Sequence, residues 1–189
     1  NKLVEMMNQT AASTPFEFDA ITKSVQTLLP TMGGDLQKTI DTFRMLGDTA
    51  GGNTQKLDTI TRGFTKALLK GKVDMESLNM IGEAGVPIVT ELAKKFNLVG
   101  KEDQLFKMIS KGKVSTKDLS DTFKIMTSEG GIFFRGMDIA SQTFTGQMST
   151  LSDELKMTAA TIGMEMLPVM KEFIPEVSKI AGGVRAWAN

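Results

Sequence analysis

The sequence predicts an all-α fold, for three reasons. Alternation of β-branched and polar residues, the pattern typical of strands, is scarce along its 189 residues. Glycine and proline divide the chain into segments of helix length. Within those segments apolar residues recur at three- and four-residue spacing. We therefore expect a compact helical module of several short helices with Gly and Pro joints, followed by a long C-terminal helix that two prolines kink or divide.

The chain divides, by this pattern, into three parts. Residues 1–13 are expected to form a helical or flexible lead-in, residues 14–140 a helical globular module, and residues 141–189 the long C-terminal helix. An apolar fraction of 41% is in the range of globular proteins. The first residue is Asn rather than Met, which suggests a segment of a longer protein into which the last helix continues.

The first helix of the module is expected to begin in the segment "TPFEF". Thr14 is a suitable N-cap, Pro15 suits the first helical position, and Glu17 stands three residues after the cap. This helix should run to about Leu29, because Pro30 follows.

The next two helices have clearer boundaries. Asp35 is the expected cap of a helix that ends at Gly51 and Gly52. Asn53 or Thr54 then caps another helix. Its apolar stripe is Leu57, Ile60, Phe64 and Leu68.

A Gly-Lys-Val sequence occurs twice, beginning at Gly71 and at Gly112. Lysines precede each glycine, where cations suit the negative end of a helix dipole. A capping residue follows each valine, Asp74 in the first copy and Ser115 in the second. Each copy is therefore predicted to join two helices through a glycine C-cap.

Two other interpretations of the repeat are weaker. A phosphate-binding loop needs a glycine five residues before the Gly-Lys pair, and Lys66 and Lys107 stand there. A solenoid needs three or more copies, so the two copies amount to at most a duplicated hairpin. Further on, Gly85 and Pro87 predict another joint, and the next helix has the stripe Ile88, Leu92 and Phe96.

The last third carries one long apolar stripe. It runs from Leu151 to Val184 at a mean spacing of about 3.7 residues, close to the 11-residue helical repeat. Pro168 and Pro175 fall on the opposite face. We expect either one bent helix or two helices that meet near Pro168.

Methionine is frequent in this last third, where Met157, Met164, Met166 and Met170 cluster, and the chain has 14 in all. Methionine adapts to irregular surroundings, so a Met-rich face suits a partner and also suits an irregular core. The candidate partner-contact face consists of Met164, Met166, Met170, Phe173 and Val177.

Composition argues against catalysis and against metal or cofactor binding. Cysteine, histidine and tyrosine are absent, which excludes thiolate, zinc-finger and His-based chemistry. A glycosidase pair could be sought among the carboxylates Glu83, Glu129, Glu154 and Glu165, but nothing in their spacing selects two of them. No catalytic, cofactor or metal residue is predicted.

The charges also argue against nucleic acid. The chain has 22 basic and 22 acidic residues, dispersed among one another, and its net charge is zero. In "GGIFFRGM" a buried pair of Phe133 and Phe134 beside a surface Arg135 is favoured over a base-stacking surface. No stretch is long and apolar enough for a transmembrane helix.

Several segments, taken in order from Thr14 to Pro168, resemble the tape-measure domain of bacteriophage tail tape measure proteins. "TPFEF" at its start and "RMLGDTAGG" at Arg44 to Gly52 are similar to two of its motifs. "KGKV" followed by "GEAGVPIVTELA" resembles its central stretch. "QTFTGQMSTLSDELK", with Gly163 and the Leu167–Pro168 pair, resembles its closing signature.

The resemblance implies a structural virion protein without catalytic residues. Such a protein occupies the lumen of the phage tail tube, sets tube length, templates assembly in the bacterial host cytoplasm and leaves at genome ejection. It implies tail tube protein, tail assembly chaperones and other tape measure chains as partners. Two alternatives stay open: a helical adaptor that acts on host membrane or DNA during ejection, and a carboxylate-based cell-wall hydrolase.

Overall fold

The computed structural model describes residues 2–143, apart from five side chains in the first helix. Within this range there are eight numbered α-helices, one further helical segment at residues 136–143, one 3-10 turn at Leu29–Met32 and no strand, which confirms the all-α prediction. The helices are Lys2–Ala12 (α1), Phe18–Leu28 (α2), Leu36–Ala50 (α3), Thr54–Lys70 (α4), Met75–Glu83 (α5), Ile88–Lys95 (α6), Glu102–Ser110 (α7) and Thr116–Thr127 (α8). Residues 136–143 are also helical and are called the closing helix below.

Helix α4 is the centre of the packing and contacts α2, α3 and α5. Its predicted stripe residues Leu57, Ile60 and Phe64 are buried. Phe64 meets Phe123 of α8 edge to face, with 5.6 Å between the ring centroids. Gly63 lets α5 approach closely, because a methyl group there would stand 2.9 Å from the Ile81 side chain. The apolar residues at helical spacing on α4 therefore pack with those of the neighbouring helices into a common core.

The caps predicted for four helices are confirmed. The side chains of Asp35, Asn53 and Asp74 accept the backbone N–H three residues further on, at the starts of α3, α4 and α5. Ser115 and Asp118 form a reciprocal capping box at the start of α8. These short-range bonds satisfy amide groups that a helix start leaves without an intrahelical partner.

Both Gly-Lys-Val copies are helix joints, as predicted. Gly71 and Gly112 have φ values of 68° and 66°, in the left-handed region that favours glycine. The two joints also contact each other: the amide of Val73 donates to the carbonyl of Val114 at 3.2 Å. Both valines are fully buried, so the repeat brings two distant parts of the chain to one place.

The predicted start of the first module helix is wrong. Helix α2 begins at Phe18 with Glu17 at the N-cap position, and Thr14 does not cap it. Phe16 is instead buried and packs edge to face on Phe43 of α3, with the ring centroids 6.1 Å apart. Burial of this ring keeps residues 14–16 outside the helix, so tertiary packing overrides the local capping pattern.

The expected buried pair of phenylalanines is also wrong. Phe133 is half-buried and Phe134 is 42% exposed. The ammonium of Lys56 lies 4.9 Å from the centre of the Phe133 ring, a cation–π arrangement that suits a ring at the surface. Arg135 does extend to solvent, where it pairs with Asp138 at 2.9 Å.

The predictions for the last third fall on residues that the structure does not describe. They concern the stripe from Leu151 to Val184, the bend at Pro168 and Pro175, and the continuation of the helix beyond them. Among the helices of residues 2–143, none is long and apolar enough to cross a membrane.

Candidate functional site

Two distant parts of the chain pack closely where the closing helix meets the end of α3. This junction is defined by Gly47, Asp48 and Gly52 on one side and by Gly136, Met137 and Ala140 on the other. A methyl group on Gly136 would collide with the carbonyl oxygen of Asp48. The first turn of the closing helix can therefore reach α3 only because residue 136 is glycine.

Asp48 fixes the start of the closing helix. Its carboxylate accepts the amide of Met137 at 3.0 Å, across 89 residues of sequence. A carboxylate suits this position, because the first turn of a helix presents free N–H groups and the positive end of its dipole. The side chain of one helix thus caps another helix.

Neighbouring groups shift the pKa of the Asp48 carboxyl in opposite directions. Burial raises the pKa of the Asp48 carboxyl above its ordinary value, and the charge of Asp138 acts in the same direction. The Met137 N–H and the charge of Arg44 lower the pKa but do not compensate fully. The charged form of Asp48 is therefore less favourable here than it is in water.

The other two glycines of the junction also make room for side chains. A methyl group on Gly47 would stand 2.5 Å from the sulfur of Met137, and one on Gly52 would stand 2.8 Å from Cβ of Ala140. Pro15 also packs beside Gly52. The junction therefore joins the segment before α2, the end of α3 and the closing helix.

The contacts of the junction can hold a helix in one position. They consist of steric fit, one buried methionine and one charge-assisted hydrogen bond. Among residues 2–143 there is also no cluster of carboxylates that could hold a metal ion. The contacts of the junction therefore fix where the closing helix begins on α3.

A second surface feature is a half-open groove of about 900 Å³ between α3 and α8. Charged side chains of both signs line its rim, including Lys38, Asp41, Lys117 and Asp121. Lys117 pairs with Asp121 at 2.7 Å. The charges along the groove are thus partly neutralised within the protein.

Two of the four carboxylates considered in the sequence lie in the part of the chain that the structure describes. Glu83 and Glu129 are exposed, whereas Glu154 and Glu165 lie outside the described residues. The candidate partner face also lies outside them, and it stays a prediction: Met164, Met166, Met170, Phe173 and Val177. The sequence did not predict the roles of Asp48 and Gly136. The segment "LGDTAGG" contained one signal, because three glycines close to a single Asp indicate a place where another part of the chain can approach.

The fold and the junction together define an all-helical structural module. The family model described as tape measure protein matches residues 1–164. The chain therefore belongs to the tape measure protein family.

One curated relative is the Mu-like prophage FluMu protein gp42 of Haemophilus influenzae. The two sequences are 31% identical over 111 residues, which make up 57% of this chain and 17% of the relative. The chain thus spans about a sixth of that protein's length. No solved structure matches the chain.

Proposed function

We propose that the chain is the helical module of a tail tape measure that sets the length of the tail tube and templates its assembly. The match of the family model over residues 1–164 is the observation that carries this proposal. The module acts by helix packing, in the lumen of the tube, after assembly in the bacterial host cytoplasm. It leaves the tail at genome ejection.

The junction supports a structural version of this role. The length of a helical ruler is set by its number of residues, at 1.5 Å for each. The ruler therefore needs a fixed starting point where the chain leaves the folded module. The Asp48–Met137 hydrogen bond and the steric fit at Gly136 supply such a point for the closing helix. The proposed partners are tail tube protein, tail assembly chaperones and other tape measure chains.

The proposed location and release can be tested by mass spectrometry of purified phage particles. Peptides of this chain should be present in intact particles and lost after genome release is triggered, while peptides of the tube protein remain. An unrelated tail protein of similar mass serves as the control for losses during handling. Retention after release would contradict the ejection step, and absence from intact particles would contradict the lumen location.

The adaptor alternative makes a different prediction in the same preparation. A protein that acts on host DNA or membrane should be recovered with those components after ejection, and salt should release it from DNA. The ruler proposal expects tails of altered length when the module is removed, whereas the adaptor expects normal tails that fail to infect.

A further inference from the structure

The two Gly-Lys-Val joints place their lysines on one part of the surface. The Val73–Val114 hydrogen bond holds the two joints side by side. The aliphatic part of Lys72 lies over Gly112, with its Cδ 3.7 Å from the place of a methyl group there. Positions 72 and 113 precede the bonded valines, so the two exposed lysines there emerge from adjacent backbone.

The joints carry more positive charge than their carboxylates neutralise. Residues 66–76 and 107–115 contain six lysines and two carboxylates, Asp74 and Glu76. Both carboxylates are used locally: Lys70 pairs with Asp74 and with Glu76, and Lys66 pairs with Glu76. The other four lysines are exposed and pair with no carboxylate of the described residues. We call them the lysine patch: Lys72, Lys107, Lys111 and Lys113.

Helix capping does not explain the whole patch. A lysine in the last turn of a helix interacts with the helix dipole, and Lys107 occupies such a place in α7. Lys72 and Lys113 follow the glycines and lie outside the helices. Their positions give no helix-end stabilisation, so these two charges remain available to a partner.

An exposed leucine accompanies the patch. Leu69, in the last turn of α4, is 74% exposed, the largest value among the exposed large apolar residues of the described part. It directly precedes Lys70 and stands three residues before Lys72. A surface with lysines and one free leucine is complementary to a segment that offers carboxylates together with an apolar side chain.

We propose that the lysine patch, together with Leu69, binds a short acidic segment of a protein partner. The patch is small, because it is confined to two joints that share one backbone hydrogen bond. Duplex DNA is bound through a longer series of phosphate contacts along a basic stripe. A short run of Asp and Glu residues matches four lysines in charge and in extent. This inference does not depend on the proposed tail role.

The test uses the 189-residue chain and a fluorescent peptide of about eight residues that combines glutamate with leucine. Fluorescence anisotropy at low salt measures binding by the unmodified protein, by K72Q/K111Q/K113Q and by the control K38Q/K101Q/K124Q. The control removes three exposed lysines elsewhere, so both variants change the net charge equally. Circular dichroism verifies that each variant is folded.

The patch variant should bind the peptide about three- to thirty-fold more weakly, because each exposed ion pair contributes little by itself. The control should change binding less than about twofold. Leu69→Ser should weaken binding of this peptide and leave binding of an all-glutamate peptide nearly unchanged.

Three results would overturn the proposal. Equal losses in the two triple variants would show an effect of net charge alone. Tighter binding of a short DNA duplex than of the peptide would identify a nucleic-acid surface instead. Absence of peptide binding by the unmodified protein at low salt would show that the patch does not recognise acidic segments.

Discussion

At the scale of single residues, Gly136 has the strictest steric requirement in the junction. A methyl group there would collide with the backbone of α3 at Asp48. Gly136→Ala should lower the free energy of unfolding by about 1–3 kcal/mol, because the backbone must shift to relieve the overlap. Urea denaturation followed by circular dichroism measures this change.

Gly82 provides the matched control. It lies within α5, and a methyl group there would have no neighbouring atom within 4 Å. Gly82→Ala should be neutral or stabilise the protein by up to about 1 kcal/mol, because alanine favours helix. Equal stabilities of the two alanine variants would contradict the steric role of Gly136.

Asp74 should contribute to the pH dependence of stability. Burial raises its pKa, but hydrogen bonds from Lys70 and Ser77 outweigh that effect and lower the pKa to about 2. A carboxyl with a depressed pKa in the folded state stabilises the protein above its unfolded value of 3.8. This contribution is lost as the pH falls through the folded value.

Asp74→Asn isolates this contribution, because asparagine is also a good N-cap. The free energy of unfolding should be higher for the unmodified protein than for the variant at pH 5, and the difference should disappear toward pH 2. Chemical denaturation at several pH values and constant low salt measures it. A difference that stays constant across this range would show that the carboxylate charge is not its source.

At the scale of helices, the capping box of α8 can be tested directly. Ser115 accepts the amide of Asp118 at 3.1 Å, and Asp118 accepts the amide of Ser115 at 2.9 Å. Ser115→Ala should destabilise the protein by about 1 kcal/mol. Thermal and urea unfolding measure the effect.

Ser110→Ala is the control for the capping box, since the exposed Ser110 hydroxyl donates only to the Lys107 carbonyl at the end of α7. Its effect should stay within about 0.5 kcal/mol, as for most surface substitutions. A loss at Ser110 as large as the loss at Ser115 would contradict a specific capping role.

Helix boundaries were predictable where the determining contacts are local. The caps at Asp35, Asn53 and Ser115 depend on groups within three residues and follow from sequence. The start of α2 was not predictable in this way, because burial of Phe16 against Phe43 decides it. The function of Asp48 likewise depends on Met137, 89 residues away.

At the scale of the whole molecule, the ordered motifs were informative because they identify a family rather than a site. Composition argued against catalysis, and resemblance supplied the tape measure family, which the match over residues 1–164 confirms. The sequence suggested that basic and acidic residues are mixed everywhere, but the lysine patch is a local excess of positive charge. The two segments are 41 residues apart in sequence and meet only in the folded protein. The sequence alone therefore did not predict that their lysines share one part of the surface.

The most direct test of the account is the tail length of a phage whose gene lacks only the codons for these 189 residues. Electron microscopy should show missing, shortened or irregular tails, and restoring the codons in place should restore the uniform length. A control deletion of similar size in a gene for host-cell attachment should leave tail length unchanged. Tails of normal, uniform length without the module would contradict its proposed role in length control.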